Sequence, residues 1–260
     1  GWLARQPLVP TLSVHTIAAY AASFCLGAVF YVIVFYAGVW FEVSFGSSVT
    51  GAGFHTIPVF VTFAIFAVVT GVAITVTGHF YAFPILSGLI LAIGCGLWTS
   101  MNSYASLGKQ IFYLLLMGLG LGFGLPGIFV SALEASPGLS AAVVSQSHFV
   151  FLLGGLIAQA IVGSRVRETL ARNLLASLYN RSTPLHLPAS LSLEAVFAGP
   201  GGVRGATGVA QDVWDALAGG YLDTFGGVFW VPFGFALGVL VFAVGGQVGK
   251  VTWDEDGKAI

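Results

Sequence analysis

Apolar residues run in six long windows along this chain, at about 14–38, 53–77, 81–101, 111–133, 140–163 and 225–247. Crossing the hydrocarbon core of a bilayer takes about 20 predominantly apolar residues in a helix, and each window meets that length. The breaks between them are local helix terminators. Glu42 with Gly46-Ser47-Ser48 closes the first window, Gly78-His79 separates the second from the third, Asn102 to Lys109 forms the next polar interval, and Glu134-Ala135-Ser136-Pro137-Gly138 is a helix stop. A buried helix in a soluble protein accounts for one such window but not for six, so the pattern predicts an all-α integral membrane protein with a bundle of six transmembrane helices.

The segment 164–224 breaks the pattern. It holds five of the nine basic residues, Arg165, Arg167, Arg172, Arg181 and Arg204, and reads as a water-facing loop. Val166, Leu170, Leu174 and Leu178 recur every four residues, as do Val209, Val213 and Leu217. Two short amphipathic helices are expected over 166–179 and 208–218, lying at the interface or packed on one another, with 198–208 as a Gly- and Pro-rich connector. Residues 248–260 form a polar tail.

Composition sharpens this reading. Only 7% of residues are charged and 57% are hydrophobic, with mean hydropathy +0.95, and between Arg5 and Lys109 the sole charge is Glu42. No soluble fold covers a hundred residues with so little polar surface. A net charge of −1 offers no basic patch for nucleic acid. Cys25 and Cys95 lie inside apolar runs as small hydrophobes, which excludes a disulfide framework or a zinc site. The chain opens on Gly1 with no signal-peptide pattern, and is expected to be a fragment or a processed product.

Candidate chemistry is sparse. No span carries a central Asp, Glu, Lys or Arg, and His15, His55, His79, His148 and His186 form no metal-ligand pair. No catalytic or nucleotide-binding motif is present, so neither enzyme activity, metal nor cofactor is expected. Neutral polar groups remain. On the fifth span Ser145, His148, Leu152, Gly155 and Gln159 share one helical face, which reads either as a wall of an aqueous substrate path or as interhelical hydrogen bonding. His55 and Thr56, just before Pro58, are a further path candidate with interfacial capping as the alternative. On the fourth span Gly118 with Gly122, and Gly120 with Gly124, make two interleaved G-x-x-x-G pairs, followed by Pro126 and Gly127. These residues predict close helix packing, with Pro126 bending the span into a hinge as the more specific reading.

Several stretches, taken in order, resemble a known family. Tyr31 to Val43, Ser47 to Pro58, the glycine ladder at 118–127, Pro137 to Val144, Leu153-Gly154-Gly155 and Val209 to Phe225 are similar to the carboxy-terminal half of fungal fourteen-span drug:proton antiporters of the major facilitator superfamily, which include toxin and multidrug efflux permeases. The resemblance implies half of a transporter, inactive alone, that needs a missing amino-terminal half or a second copy. It implies a small hydrophobic or amphipathic substrate, a proton gradient, and a place in the plasma membrane, with the vacuolar membrane as the alternative. A non-transporting membrane adaptor or truncated remnant, whose polar stripe only packs helices, is the competing class. The resemblance also places both ends in the cytosol and 164–224 outside. That agrees with the glycosylation sequon at Asn180 and opposes the arginine count, which by the positive-inside rule puts the loop in the cytosol. Two positions depart from the family. Phe151 stands where members often carry Gln, with Gln146 and His148 nearby, and the turn between the second and third spans is Gly78-His79-Phe80 rather than basic.

Overall fold

Backbone amides in hydrocarbon have no water to bond, so a long apolar segment satisfies them within its own helix. The computed structural model describes residues 14–44, 49–100, 106–134, 140–179, 221, 224 and 227–251. Among these, six helices and no strands occur: α1 (Val14–Ser44), α2 (Val49–Thr77), α3 (Ala82–Thr99), α4 (Leu107–Glu134), α5 (Ser140–Tyr179) and α6 (Trp230–Val251). The first five are long and apolar enough to cross a membrane, and the apolar stretch of the sixth, Trp230–Gly246, is shorter. Gly78 ends α2 with a positive φ of 68°, and its N–H donates to the Ile74 carbonyl at 2.8 Å. A left-handed residue at this place turns the chain into α3 at no Cβ cost.

Two boundaries differ from the sequence pattern. Glu42 lies inside α1, which runs on to Ser44. The stretch 166–179 is the outer part of the 40-residue α5 rather than a separate amphipathic helix. Charged residues with good helix propensity do not stop a helix, and no proline interrupts Gly163 to Tyr179. At 1.5 Å per residue α5 is about 60 Å long, roughly twice the hydrocarbon thickness. Leu170 on this extension is buried, and Val166 packs on the same core. The expected helix at 208–218, the connector at 198–208, Asn180 and most of the tail lie outside the described residues.

α1 is the hub. It packs on α5, α6, α4 and α2, while α4 also joins α2 and α3, and α3 joins α6. Accordingly 56% of the apolar window of α1 is buried, against 17% for α2 and 28% for α5. α2 and α5 therefore present long apolar faces outward, including Phe60, Val68 and Val72 on α2 and Phe149, Leu156 and Ile157 on α5. Such faces suit lipid or another apolar bundle, not water.

Glycine sets the spacing of the main contacts. A Cβ on Gly27 of α1 would overlap the Phe151 carbonyl of α5, and one on Gly154 would overlap the Phe24 carbonyl of α1. Likewise a Cβ on Gly88 of α3 would sit 2.6 Å from the Leu240 backbone nitrogen of α6, and one on Gly238 of α6 would sit 2.8 Å from Cys25 Sγ of α1. Lipid tails are as apolar as the side chains, so close van der Waals contact, rather than exclusion of water, holds these helices together.

At the end of the bundle where α1 and α3 end and α6 begins, Trp40, Phe41, Trp98, Phe229 and Tyr221 are buried together. Trp98 meets Trp40 edge-on at 5.9 Å and Phe229 at 5.0 Å. The Trp40 indole N–H donates to Gln110 Oε1 at 3.2 Å, so this buried amide has a partner. Burial, and then the nearby Glu42 carboxylate, push the Tyr221 phenol up from its ordinary value of 10.0.

Candidate functional site

The polar residues of α5 do not share one environment. Ser145 and His148 are exposed, Gln146 and Gln159 are half-buried, and Gly155 is buried. Ser145 turns its hydroxyl back to the Ala141 carbonyl at 2.8 Å, which satisfies its proton and leaves lone pairs facing outward. His148 stacks on Phe151 at 6.0 Å and 14°, and meets Phe129 of α4 edge-on at 6.3 Å. Phe151 in turn contacts Phe30 and Tyr31 of α1, and Phe30 contacts Phe63 of α2. The exposed imidazole thus stands at the edge of an aromatic surface built from four helices.

The two glutamines are tied to α1. Gln146 Oε1 accepts the Tyr20 hydroxyl at 2.8 Å, and Gln159 Nε2 donates to the Tyr31 backbone carbonyl at 2.8 Å. Gly155 lies against the Tyr31 ring. The face that runs through Ser145 and His148 therefore rotates into the α1 interface by Gly155 and Gln159. A 3-4-3-4 spacing keeps residues in line on their own helix, but α1 crosses that line and covers its far end.

The other candidates sit elsewhere. Thr56 is buried, with its hydroxyl bonded to the Gly53 carbonyl at 2.8 Å. His55 is half-buried and stacks on Phe41 at 5.3 Å and 25°, which puts it beside the aromatic cluster rather than beside His148.

On α4 the two glycine pairs meet different neighbours. Cβ atoms on Gly118 and Gly122 would press on Val59 and on Phe66 of α2, whereas those on Gly120, Gly124 and Gly127 would press on Leu91, Ser87 and Pro84 of α3. Ser87 also donates to the Gly120 carbonyl at 2.7 Å, a side-chain bond that the missing Cβ permits. α4 continues as helix through Pro126 to Glu134.

Sequence reasoning did not single out Gly27 or Ser147. Gly27 pairs with no second glycine at i+4 on α1, and its partner position is on another helix, so no local signal marked it. Ser147 is fully buried and its hydroxyl has no hydrogen-bond partner among the described residues, although its neighbours Gln146 and His148 drew attention. Among the described residues no cluster of His, Cys, Asp or Glu could hold a metal ion.

Comparison with known proteins places this bundle. The chain is 31% identical over 179 residues to the efflux pump aunC of Aspergillus niger, covering 68% of this chain and 34% of that pump. It is 28% identical over 239 residues to the efflux pump bfoC of Aspergillus brasiliensis, covering 91% of this chain and 40% of that protein. It is 29% identical over 202 residues to the MFS-type efflux pump elcC of Phaeosphaeria nodorum, covering 75% of this chain and 34% of that one. No family model matches the chain. The chain belongs to the MFS-type transporters that these fungal pumps represent. It spans between 34% and 40% of the length of these three relatives.

Proposed function

We propose that this chain is the carboxy-terminal bundle of a proton-coupled efflux transporter and supplies one wall of a path for hydrophobic or amphipathic small molecules. The observation that carries the reading is the exposed His148, set with Ser145 on an otherwise apolar face of α5 and flanked by Phe129 and Phe151. An aromatic surface takes up apolar ring systems, and an imidazole beside it adds two ring nitrogens for hydrogen bonding to a polar group of the substrate. Alternating access needs two bundles rocking about a midplane site, so the outward apolar faces of α2 and α5 would meet a second bundle, and the export activity belongs to that assembly.

Gln146 and Gln159 have a different part. Their bonds to Tyr20 and Tyr31 support a packing role, holding α5 on α1. The test is efflux from cells that make this bundle together with the remaining two thirds of such a transporter. His148→Ala should lower efflux while leaving abundance and thermal stability unchanged, and His148→Gln, which keeps a polar hydrogen-bonding group there, should retain part of it. Gln159→Ala should lower stability by about 0.6 kcal/mol, the average for an interhelical hydrogen bond in a membrane. Unchanged efflux in both His148 variants would overturn the pathway reading. As to sidedness, the segment 164–224 is proposed to face the exterior. A cysteine introduced by Ser182→Cys should then react with an impermeant thiol reagent on intact cells, and labelling only after permeabilisation would reverse the orientation.

A further inference from the structure

Where α5 leaves the apolar zone it stands apart from α6, with which it makes few contacts. The gap is a groove of about 370 Å³, at the lower end of the roughly 300–1,000 Å³ of small-ligand pockets. Its walls mix three kinds of surface: apolar Val162 and Val231, the indole of Trp230, and the polar groups of Arg165, Thr169 and Thr224. Arg165 is the first charged residue after the apolar run that starts at Ser140. Twenty-five residues of helix rise about 37 Å, just beyond a hydrocarbon core of about 30 Å. That is the depth of lipid phosphates. Trp230, 61% exposed, lies along the same groove, and indoles collect at this depth in membranes.

Charge selects the occupant. The carboxylate one turn away, Glu168, is engaged by Arg172, and among the described residues no carboxylate pairs with Arg165. A guanidinium facing a bilayer interface finds phosphodiesters as its most abundant anions, and its planar fork bonds two phosphate oxygens at once. A free anion would leave the apolar walls uncovered, and an organic cation would be repelled by Arg165. Towards the membrane centre Ile161, which lines the groove, is preceded one turn earlier on the same face of α5 by Ile157, and both are exposed, a track suited to an acyl chain.

We propose that this groove is a phospholipid site, with the phosphodiester on Arg165 and one acyl chain lying along Ile161 and Ile157. The lipid wedges between two helices that barely meet, and links the long extension of α5 to the start of α6. This inference rests on α5 spanning the membrane and is independent of efflux.

The experiment uses the purified full chain in detergent, depleted of lipid and titrated with a phosphatidylcholine that carries a photoactivatable group on one acyl chain. Labelled peptides are mapped by mass spectrometry. Labelling is expected in the segments that contain Ile161 and Trp230. Unlabelled phosphatidylcholine should compete, whereas a diacylglycerol with the same chains and inorganic phosphate should not. Arg165→Gln should weaken the apparent affinity by about tenfold, the scale of a charge-assisted hydrogen bond, and Arg165→Lys should recover part of it. Arg167→Gln makes the same charge change at a residue that does not line the groove, and should leave affinity unchanged. Equal weakening by Arg165→Gln and Arg167→Gln would overturn the proposal in favour of general surface charge. Competition by diacylglycerol as strong as by phospholipid would reduce the site to apolar contact. Displacement by inorganic phosphate would make it a free-anion site, and the lipid assignment would fail.

Discussion

Substituting Gly154 by alanine adds a single methyl group where α5 and α1 touch backbone to backbone. That Cβ would overlap the Phe24 carbonyl oxygen and come within 3.0 Å of Phe24 Cα. Carbon atoms pack best at about 3.5–4.0 Å, and a gap of 0.5–1 Å already forfeits a quarter to a half of a dispersion contact. Neither backbone can swing aside as a side chain would, so the helices must separate. α1 is the main anchorage of α5 in the bundle, and the loss is felt along the whole interface. Overpacking of this kind costs about 1–3 kcal/mol, while replacing glycine by alanine inside a helix returns about 0.5–1 kcal/mol. The net loss is up to about 2.5 kcal/mol, which at roughly 2–4 °C per kcal/mol for a chain of this size lowers Tm by up to about 10 °C. Gly71→Ala is the control. It lies within α2 with nothing within 4 Å of its added Cβ, and should show the propensity gain alone. The assay is thermal unfolding of purified chain in detergent. Gly27→Ala, which strikes the Phe151 carbonyl from the other side, should behave like Gly154→Ala. The double variant should lose less than the sum, because one displacement relieves both clashes. If Gly154→Ala unfolds at the same temperature as Gly71→Ala, the reciprocal glycine contact does not set the α1–α5 spacing.

Gly120→Leu and Gly122→Leu should both lower folded yield, by about 1–3 kcal/mol of overpacking, because one strikes Leu91 and the other Phe66; normal accumulation of both would show that α4 is not so closely held. Ser147→Ala removes a buried hydroxyl that has no partner among the described residues and should leave Tm unchanged or raise it, whereas Ser87→Ala, which loses the bond to the Gly120 carbonyl, should lower Tm, the contrast being read in the same melt. Because the phenol of Tyr221 is raised above 10.0 in the folded chain, its contribution is fully present below that value and is lost as pH rises through the folded pKa. Tyr221→Phe should therefore lose less stability than the parent chain as pH rises above about 10, and Glu42→Gln, which removes a carboxylate that raises the phenol, should make the alkaline loss smaller than the parent's; identical alkaline profiles in all three would refute the assignment.

The apolar windows by themselves determined that this chain is helical and spans a membrane, because hydrocarbon leaves a backbone no other way to satisfy its amides. Helix ends were less legible. Glu42 and the arginines after Gly163 misled on this point, since a charge marks where water begins and not where a helix stops. Gly118, Gly120, Gly122 and Gly124 were legible as contact positions from their spacing alone, but which pair meets α2 and which meets α3 depends on how the helices are arranged around α4. Gly27 and Gly154 were illegible as a pair, for neither signals the other along the chain. The stripe on α5 shows the same limit most clearly. Periodicity aligned Ser145, His148, Gly155 and Gln159 on one side of a helix, and only the path of α1 across that helix decided that the imidazole stays exposed while Gly155 is covered and Gln159 is bonded to Tyr31. A period reports the geometry of one helix, whereas burial is a property of the neighbour that crosses it.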